Sequence, residues 1–236
     1  MISDDVPVLE LRNVRAAYGT IEVLHGVDLV VPRGSVLALL GPNGGGKSTT
    51  LKVIAGLLPA TSGEISLLGR AVNGASPDEL ARLGVCLIPE GKGIFPNLTV
   101  RENLWIMTQT GMPLAHIEEV AYTRFPRLGE RRKQLAGTMS GGEQQMLAMS
   151  RALACDPGLL LLDELSMGLA PLVVKSLYEI VAQLAEEGIS ILVVEQFART
   201  VLPIADLAGI MLHGRVTKIG RPADLEAELS TAYLGA

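Results

Sequence analysis

Four short apolar runs punctuate the chain, each closed by a polar residue or glycine. They are VLALLG at 36–41, VCLIPE at 85–90, LLLLDE at 159–164 and ISILVVEQ at 189–196. Their apolarity is continuous rather than alternating, which predicts strands buried on both faces, as in a parallel sheet. Between them the spacing turns helical, as in KSTTLKVIAGLL at 47–58 and VVKSLYEIVAQLAEEG at 173–188. This alternation of strand and helix predicts an α/β domain.

Three segments break the alternation. PVLELRNVRAAYG and IEVLHGVDLVVPRG, near the start, read as short strands separated by turn residues and predict an antiparallel layer. From Asn97 to Thr138 the pattern is mostly helical, broken at Pro113 and Pro126, and it opens with Thr99 and Glu102 at capping-box spacing. Because it sits between two sheet strands, it predicts an inserted helical subdomain. After Ile210 the tail reads as two short strands, IMLHG and RVTKIG, and a small helix. The whole, 1–236, is read as one domain. Residues 7–35 and 60–70 form its antiparallel layer, 36–58, 80–90 and 158–236 its α/β core, and 95–157 its helical insertion.

Composition sharpens this picture. Hydrophobic residues make up 48% of the 236 and charged residues 19%, enough for a sizeable core and too apolar for disorder. With only 3% aromatics, that core must be mostly Leu, Val, Ile, Ala and Met. A net charge of −5 argues against a nucleic-acid partner. Cys86 and Cys155 lie far apart in sequence and read as two buried, reduced thiols. Together with His25, His116 and His213 they show no metal-ligand spacing. The start, MISDDVPVLE, has neither the basic nor the apolar region of a signal peptide. No apolar run approaches the roughly 20 residues that span a bilayer. The expectation is a soluble, cytoplasmic chain that meets a membrane only through a partner.

The chemistry concentrates at strand ends, where ligands of open α/β sheets gather. GPNGGGKST at 41–49 follows an apolar strand and precedes a helix, the setting of a phosphate-binding loop. Gly41, Gly44, Gly45 and Gly46 let the backbone curl so that its N–H groups face an anion. The helix starting near Lys47 adds its positive end. Lys47 can reach the β- and γ-phosphates, and Ser48 can give its hydroxyl to Mg²⁺. Asp163 closes the LLLLDE strand and can hold Mg²⁺ through water, while Glu164 can polarise the attacking water. Glu90, Glu195 and Gln196 follow other strand ends, and Glu90 and Gln196 taken alone read as ordinary loop residues. In MSGGEQQ at 139–145, Ser140 and Glu143 form a second capping box. The glycines between them, Gly141 and Gly142, weaken a helix start unless something approaches the backbone closely. That makes a second anion site, one that a second copy of the chain could use.

At this point the chain resembles the ATP-binding subunit of an ABC transporter over nearly its whole length. GPNGGGKST is similar to the Walker A motif, LLLLDE to Walker B and MSGGEQQ to the ABC signature, in the usual order. The resemblance implies a P-loop NTPase core, ATP and Mg²⁺, and Mg-dependent ATP hydrolysis coupled to transport. It implies head-to-tail pairing, in which Ser140, Gly141, Gly142 and Glu143 close over the ATP held by the partner's Walker A. Pro42 and Asn43 fall within Walker A, Thr49 matches a residue near the α-phosphate, and Tyr18 matches the aromatic that stacks on adenine. Glu90 stands where most of the family has the Q-loop glutamine, Gln196 where most have the switch histidine, and Ala170 where most have the D-loop aspartate.

IPEG, IFPNLTVRENL, GLAP and VVEQ together resemble the branched-chain amino-acid importer branch, in particular the shorter of its two ATPase subunits, and the ending AYLGA fits it. The partners so implied are membrane-spanning permease subunits, a sister ATPase or a second copy, and indirectly a solute-binding protein. They would hold the chain at the cytoplasmic face of the cell membrane. Similar subunits serve urea, short amides and other acids, and soluble ABC ATPases form a further alternative. Leu165 stands where proline is usual, which is expected to free the backbone after Glu164. Gly45 replaces a commoner small side chain. Gln196 cannot be protonated near neutral pH. The segment from Phe95 to Met107 would border a permease-docking cleft, while Trp105 within it reads as core.

Overall fold

The computed structural model describes residues 6–91 and 93–225. Its ten strands are β1 (Leu9–Tyr18), β2 (Ile21–Val31), β3 (Val36–Leu40), β4 (Ser62–Leu67), β5 (Arg70–Ala71), β6 (Val85–Ile88), β7 (Leu159–Asp163), β8 (Ser190–Glu195), β9 (Leu207–Leu212) and β10 (Arg215–Gly220). They form two sheets: β2-β1-β4-β5, all antiparallel, and β10-β9-β3-β8-β7-β6, parallel except for the β9–β10 hairpin. The helices lying wholly within the described residues are α1 (Lys47–Ile54), α2 (Pro77–Arg82), α3 (Val100–Trp105), α4 (Leu114–Arg124), α5 (Pro126–Glu130), α6 (Gly141–Leu153), α7 (Pro171–Glu186) and α8 (Ala198–Val201). The α/β fold with its mostly parallel sheet, antiparallel layer and helical insertion is the one expected.

The continuous apolar runs are explained by two cores, one on each face of the parallel sheet. In β3, Leu37 and Leu39 pack toward the antiparallel layer, while Val36, Ala38 and Leu40 pack toward the helices. In β7, Leu159 and Leu161 take the first side and Leu160 and Leu162 the second. A strand with apolar neighbours on both sides has no reason to alternate. β1 and β2 pair with register shifts, one of them around Asn13, whose φ of +49° marks the bulge.

Some boundaries differ from the periodicity. α1 stops at Ile54, short of Leu58, because Gly56 adopts φ +71° and Leu57 N–H bonds back to Lys52 O, closing the helix end. α7 begins two residues earlier than expected, at Pro171, where proline suits the first helical turn. In the tail, residues 222–225 are helical; the rest of the expected helix, the ending AYLGA and residues 1–5 lie outside the described residues. Trp105 is 56% exposed, so it is a surface residue and the core reading fails. Both cysteines are free as expected, but the fold brings them together, and Cys155 is only partly buried. Hydrogen bonding between them and burial push the Cys86 thiol up, while the same hydrogen bond draws Cys155 down to about 7.

Leu161 is fully buried between the two sheets. Leu161→Ala is expected to lower the unfolding free energy by about 2–5 kcal/mol, seen in urea as a lower midpoint with an unchanged slope.

Candidate functional site

The site is built along the carboxyl edge of the parallel sheet. Register places Leu40 beside Glu195 and Asp163 beside Val194, so β3, β7 and β8 end together. The polar residues that follow these ends are therefore neighbours, although they are far apart in sequence.

The loop after β3 needs its glycines for different reasons. A Cβ on Gly41 would lie 2.1 Å from the Met211 carbonyl oxygen of β9, so only a bare backbone fits. Gly44 and Gly46 adopt φ +77° and +102°, which L side chains rarely take. Gly45 is held by Pro42 O and Met211 O, 3.0 and 3.2 Å from where a Cβ would sit, so a larger residue would have to push the loop aside. Lys47 opens α1 and is nearly fully buried. Its Nζ donates to Gly41 O (2.9 Å) and Pro42 O (3.1 Å) and lies 3.7 Å from Glu164 Oε1. Ser48 Oγ donates to Asp163 Oδ1 at 2.8 Å.

Residues 43–49, Glu90, Glu164 and Met167 line a cavity of about 270 Å³. Met167 carried no signal in the sequence: an exposed methionine after a strand has no recognisable spacing. Burial raises the Asp163 carboxyl, and the charge of Glu90 adds to this, against hydrogen bonds from Ser48 and the Glu90 backbone. Burial also raises Glu164, opposed by Lys47 and reinforced by Glu90, Glu195 and Asp163. Glu90, Glu195 and Asp163 thus bear on Glu164, which is answered by Lys47, while Lys52 acts on Asp163. Such a cluster fits a divalent cation, for which the Ser48 hydroxyl and Asp163 carboxylate are hard oxygen donors. No group of three or more metal-binding side chains exists among the described residues. A small cation held by one or two carboxylates, a hydroxyl and substrate phosphates matches that donor set.

Glu164 takes φ +48°, unusual for a residue with a side chain, and such strain clusters at functional sites. The expectation that Leu165 loosens this backbone is corrected by the structure. Leu165 is 2% exposed and packs in the helix-side core; Glu164 N–H donates to Val194 O and Ser166 N–H to Glu195 Oε1, both at 3.0 Å. Burial and hydrogen bonds do here what a rigid ring does elsewhere.

Other expected residues stand outside this cavity. Gln196 is half-buried, one residue past β8. Tyr18 ends β1, 44% exposed, with Lys52 Nζ 6.0 Å from its ring centre. Ser140 caps α6 as a capping box: Glu143 Oε2 accepts from Ser140 N–H (3.0 Å) and Oγ–H (2.8 Å), and Glu143 N–H donates to Ser140 Oγ (3.4 Å). None of residues 140–143 lines the cavity. Gly142 has an internal reason to be glycine, since a Cβ there would meet Val173 Cγ1 of α7 at 2.4 Å.

A sequence profile described as "ABC transporter" matches residues 24–166, more than half of the chain. The chain belongs to the ABC transporter family. The high-affinity branched-chain amino acid transport ATP-binding protein BraG of Pseudomonas aeruginosa is 41% identical over 97% of this chain and 100% of its own length. The probable branched-chain amino acid transport ATP-binding protein LivF of Archaeoglobus fulgidus is 38% identical over 91% of this chain and 93% of its own. An ATP-binding cassette of an ABC transporter, solved in its ADP conformation, superposes with a TM-score of 0.85 at 26% identity, over 98% of this chain and 99% of that one. This ABC chain is accordingly an ATP-binding, ATP-hydrolysing subunit, and no helix among its described residues is long and apolar enough to cross a membrane.

Burial alone would raise the Glu143 carboxyl, but its bonds with Ser140 and the nearby Arg131 and Arg127 leave it below the usual value. A lowered group adds stability above its unfolded pKa and loses it as pH falls through its folded one. Ser140→Ala is expected to cost about 1 kcal/mol of stability at neutral pH, measured by denaturant titration, and the cost should shrink in acid as Glu143 is protonated.

Proposed function

We propose that this subunit energises an importer of branched-chain or related amino acids, working at the cytoplasmic face of a membrane on permease subunits. The observation that carries the catalytic part is the meeting of Lys47, Ser48 and Glu164 in one partly closed cavity, with Asp163 buried behind Ser48 and accepting its hydroxyl. The nucleotide's phosphates would lie on residues 41–46 and the start of α1, with Lys47 and Thr49 at the phosphates and Tyr18 against the adenine. Ser48, Asp163 and Glu90 would hold Mg²⁺, whose role is to offset phosphate charge. Glu164 would take the proton of the attacking water, its basicity favoured by its buried surroundings. Gln196, which cannot carry a proton as a histidine does, would orient that water by hydrogen bonding alone. Solute class is supported by the names of the two relatives, both branched-chain amino acid transport proteins.

A site shared between two chains is supported by the exposed position of Ser140 and the absence of residues 140–143 from the chain's own cavity. Ser140, Gly141, Gly142 and Glu143 would reach the nucleotide of a second ATPase subunit, by the positive end of α6.

Glu164→Gln is expected to lower steady-state turnover by a factor of about 10²–10⁴ while ATP still drives association, read by light scattering. Ser140→Arg should abolish that association. Full turnover in Glu164→Gln, or an ATP-driven pair in Ser140→Arg, would contradict the two assignments in turn. In liposomes holding the permease and solute-binding partners, labelled leucine should accumulate with ATP and urea should not.

A further inference from the structure

We propose that Glu195 is a positioning residue for hydrolysis, its buried carboxylate clamping the loop that carries Glu164 against the end of β8. This rests on the reading of Glu164 as the base and Gln196 as the group that orients water.

Glu195 is the last residue of β8 and is 1% exposed. Three donors from two other elements converge on it. Ser166 N–H reaches Oε1 at 3.0 Å, Ser166 Oγ–H reaches Oε2 at 3.0 Å, and Tyr178 O–H of α7 reaches Oε1 at 2.5 Å. No ion pair reaches it among the described residues. A carboxylate without a cation is costly to bury and is tolerated only when its oxygens are filled. This one is filled by the loop after β7 and by α7. Burial and the neighbouring carboxylate both raise the Tyr178 hydroxyl, which therefore stays a donor.

The placement of the clamp gives it its function. Ser166 lies two residues beyond Glu164, and Gln196 directly follows Glu195. Met167, which lines the nucleotide cavity, follows Ser166, and its N–H closes a turn onto Glu164 O at 3.2 Å. One carboxylate therefore ties together the base, the cavity wall and the candidate water-orienting residue. The backbone it pins has the left-handed Glu164 and no proline to stiffen it. Glu195 touches neither phosphate nor water in this scheme; it acts through the residues on either side.

The test uses the full chain and compares Glu195→Ala, Glu195→Gln and Tyr178→Phe with wild type and Glu164→Gln. Turnover, KM for MgATP and amide exchange of residues 164–168 are read for each. In Glu195→Ala, kcat should fall on the order of 10²-fold with KM within about threefold, since displacement of a reacting group by an ångström has that effect. Exchange at 164–168 should quicken while β3 and β7 keep their protection. Glu195→Gln retains an acceptor for Ser166 N–H and Tyr178 O–H, and should recover most of the loss. If Glu195→Ala does not fold, Tyr178→Phe decides, with kcat expected to drop about three- to tenfold at constant KM, on the same scale of misplacement.

The proposal is overturned if kcat of Glu195→Ala stays within twofold of wild type. It is overturned equally if exchange quickens throughout the chain and the glutamine variant is no better than alanine, or if Tyr178→Phe turns over as wild type. Full turnover in Glu164→Gln would instead sink the assignment of the base. The clamp itself would still stand or fall on amide exchange at 164–168 in the Glu195 variants, which does not depend on that assignment.

Discussion

Strands buried on both faces have no place for a polar side chain until they end, and in this chain β3, β7 and β8 end side by side. The carboxyl edge therefore collects what the strands exclude. Asp163, Glu164 and Glu195 are brought together by register, and Glu90 joins them from the end of β6. Burial and repulsion make the charges of Asp163 and Glu164 unfavourable, and the positive groups that answer them are Lys47, Lys52 and the first turn of α1. The demand for further positive charge is built into the sheet, before any ligand is considered. That is why a sheet of mostly leucine and valine can present so polar a cavity.

Much of this could be read in the sequence, for reasons particular to each segment. GPNGGGKST is largely a local structure, set by its glycines and the start of α1; its distant supports are Leu24 and the end of β9, where Met211 closes on Gly41, Gly45 and Gly46 and Gly214 N–H donates to Gly45 O. The β7 run ends in two acids because the strand ends there. Contacts across the fold were invisible. Nothing in the spacing joins Glu195 to Ser166 or Tyr178, Cys86 to Cys155, or Gly142 to Val173. The glycine pair after Ser140 pointed to an incoming anion, and the structure adds a second cause for Gly142, the packing of α6 on α7. Helix ends were blurred for a similar reason, since the stop at Ile54 depends on the conformation of Gly56.

The departures from the family's usual residues are compensated in different ways. Leu165 exchanges a stiff ring for apolar burial, so the loop is held from its core side as well as from β8. Gln196 gains nothing comparable: it keeps a hydrogen-bonding side chain and gives up the ability to be charged. The loop is held firmly without a proline, whereas position 196 carries no proton, so in the proposed scheme the chemistry at the γ-phosphate would rest more heavily on Glu164.

Trp105, at the end of α3, is the one tryptophan of the chain and is largely exposed. Its indole already sees water in the native fold, so the emission maximum should barely move when the chain unfolds. Intrinsic fluorescence is thus nearly blind to the melting of the sheet. The same exposure makes it a sensitive optical probe of its own face: a protein or lipid surface that covered α3 would shift the emission to the blue and shield it from soluble quenchers.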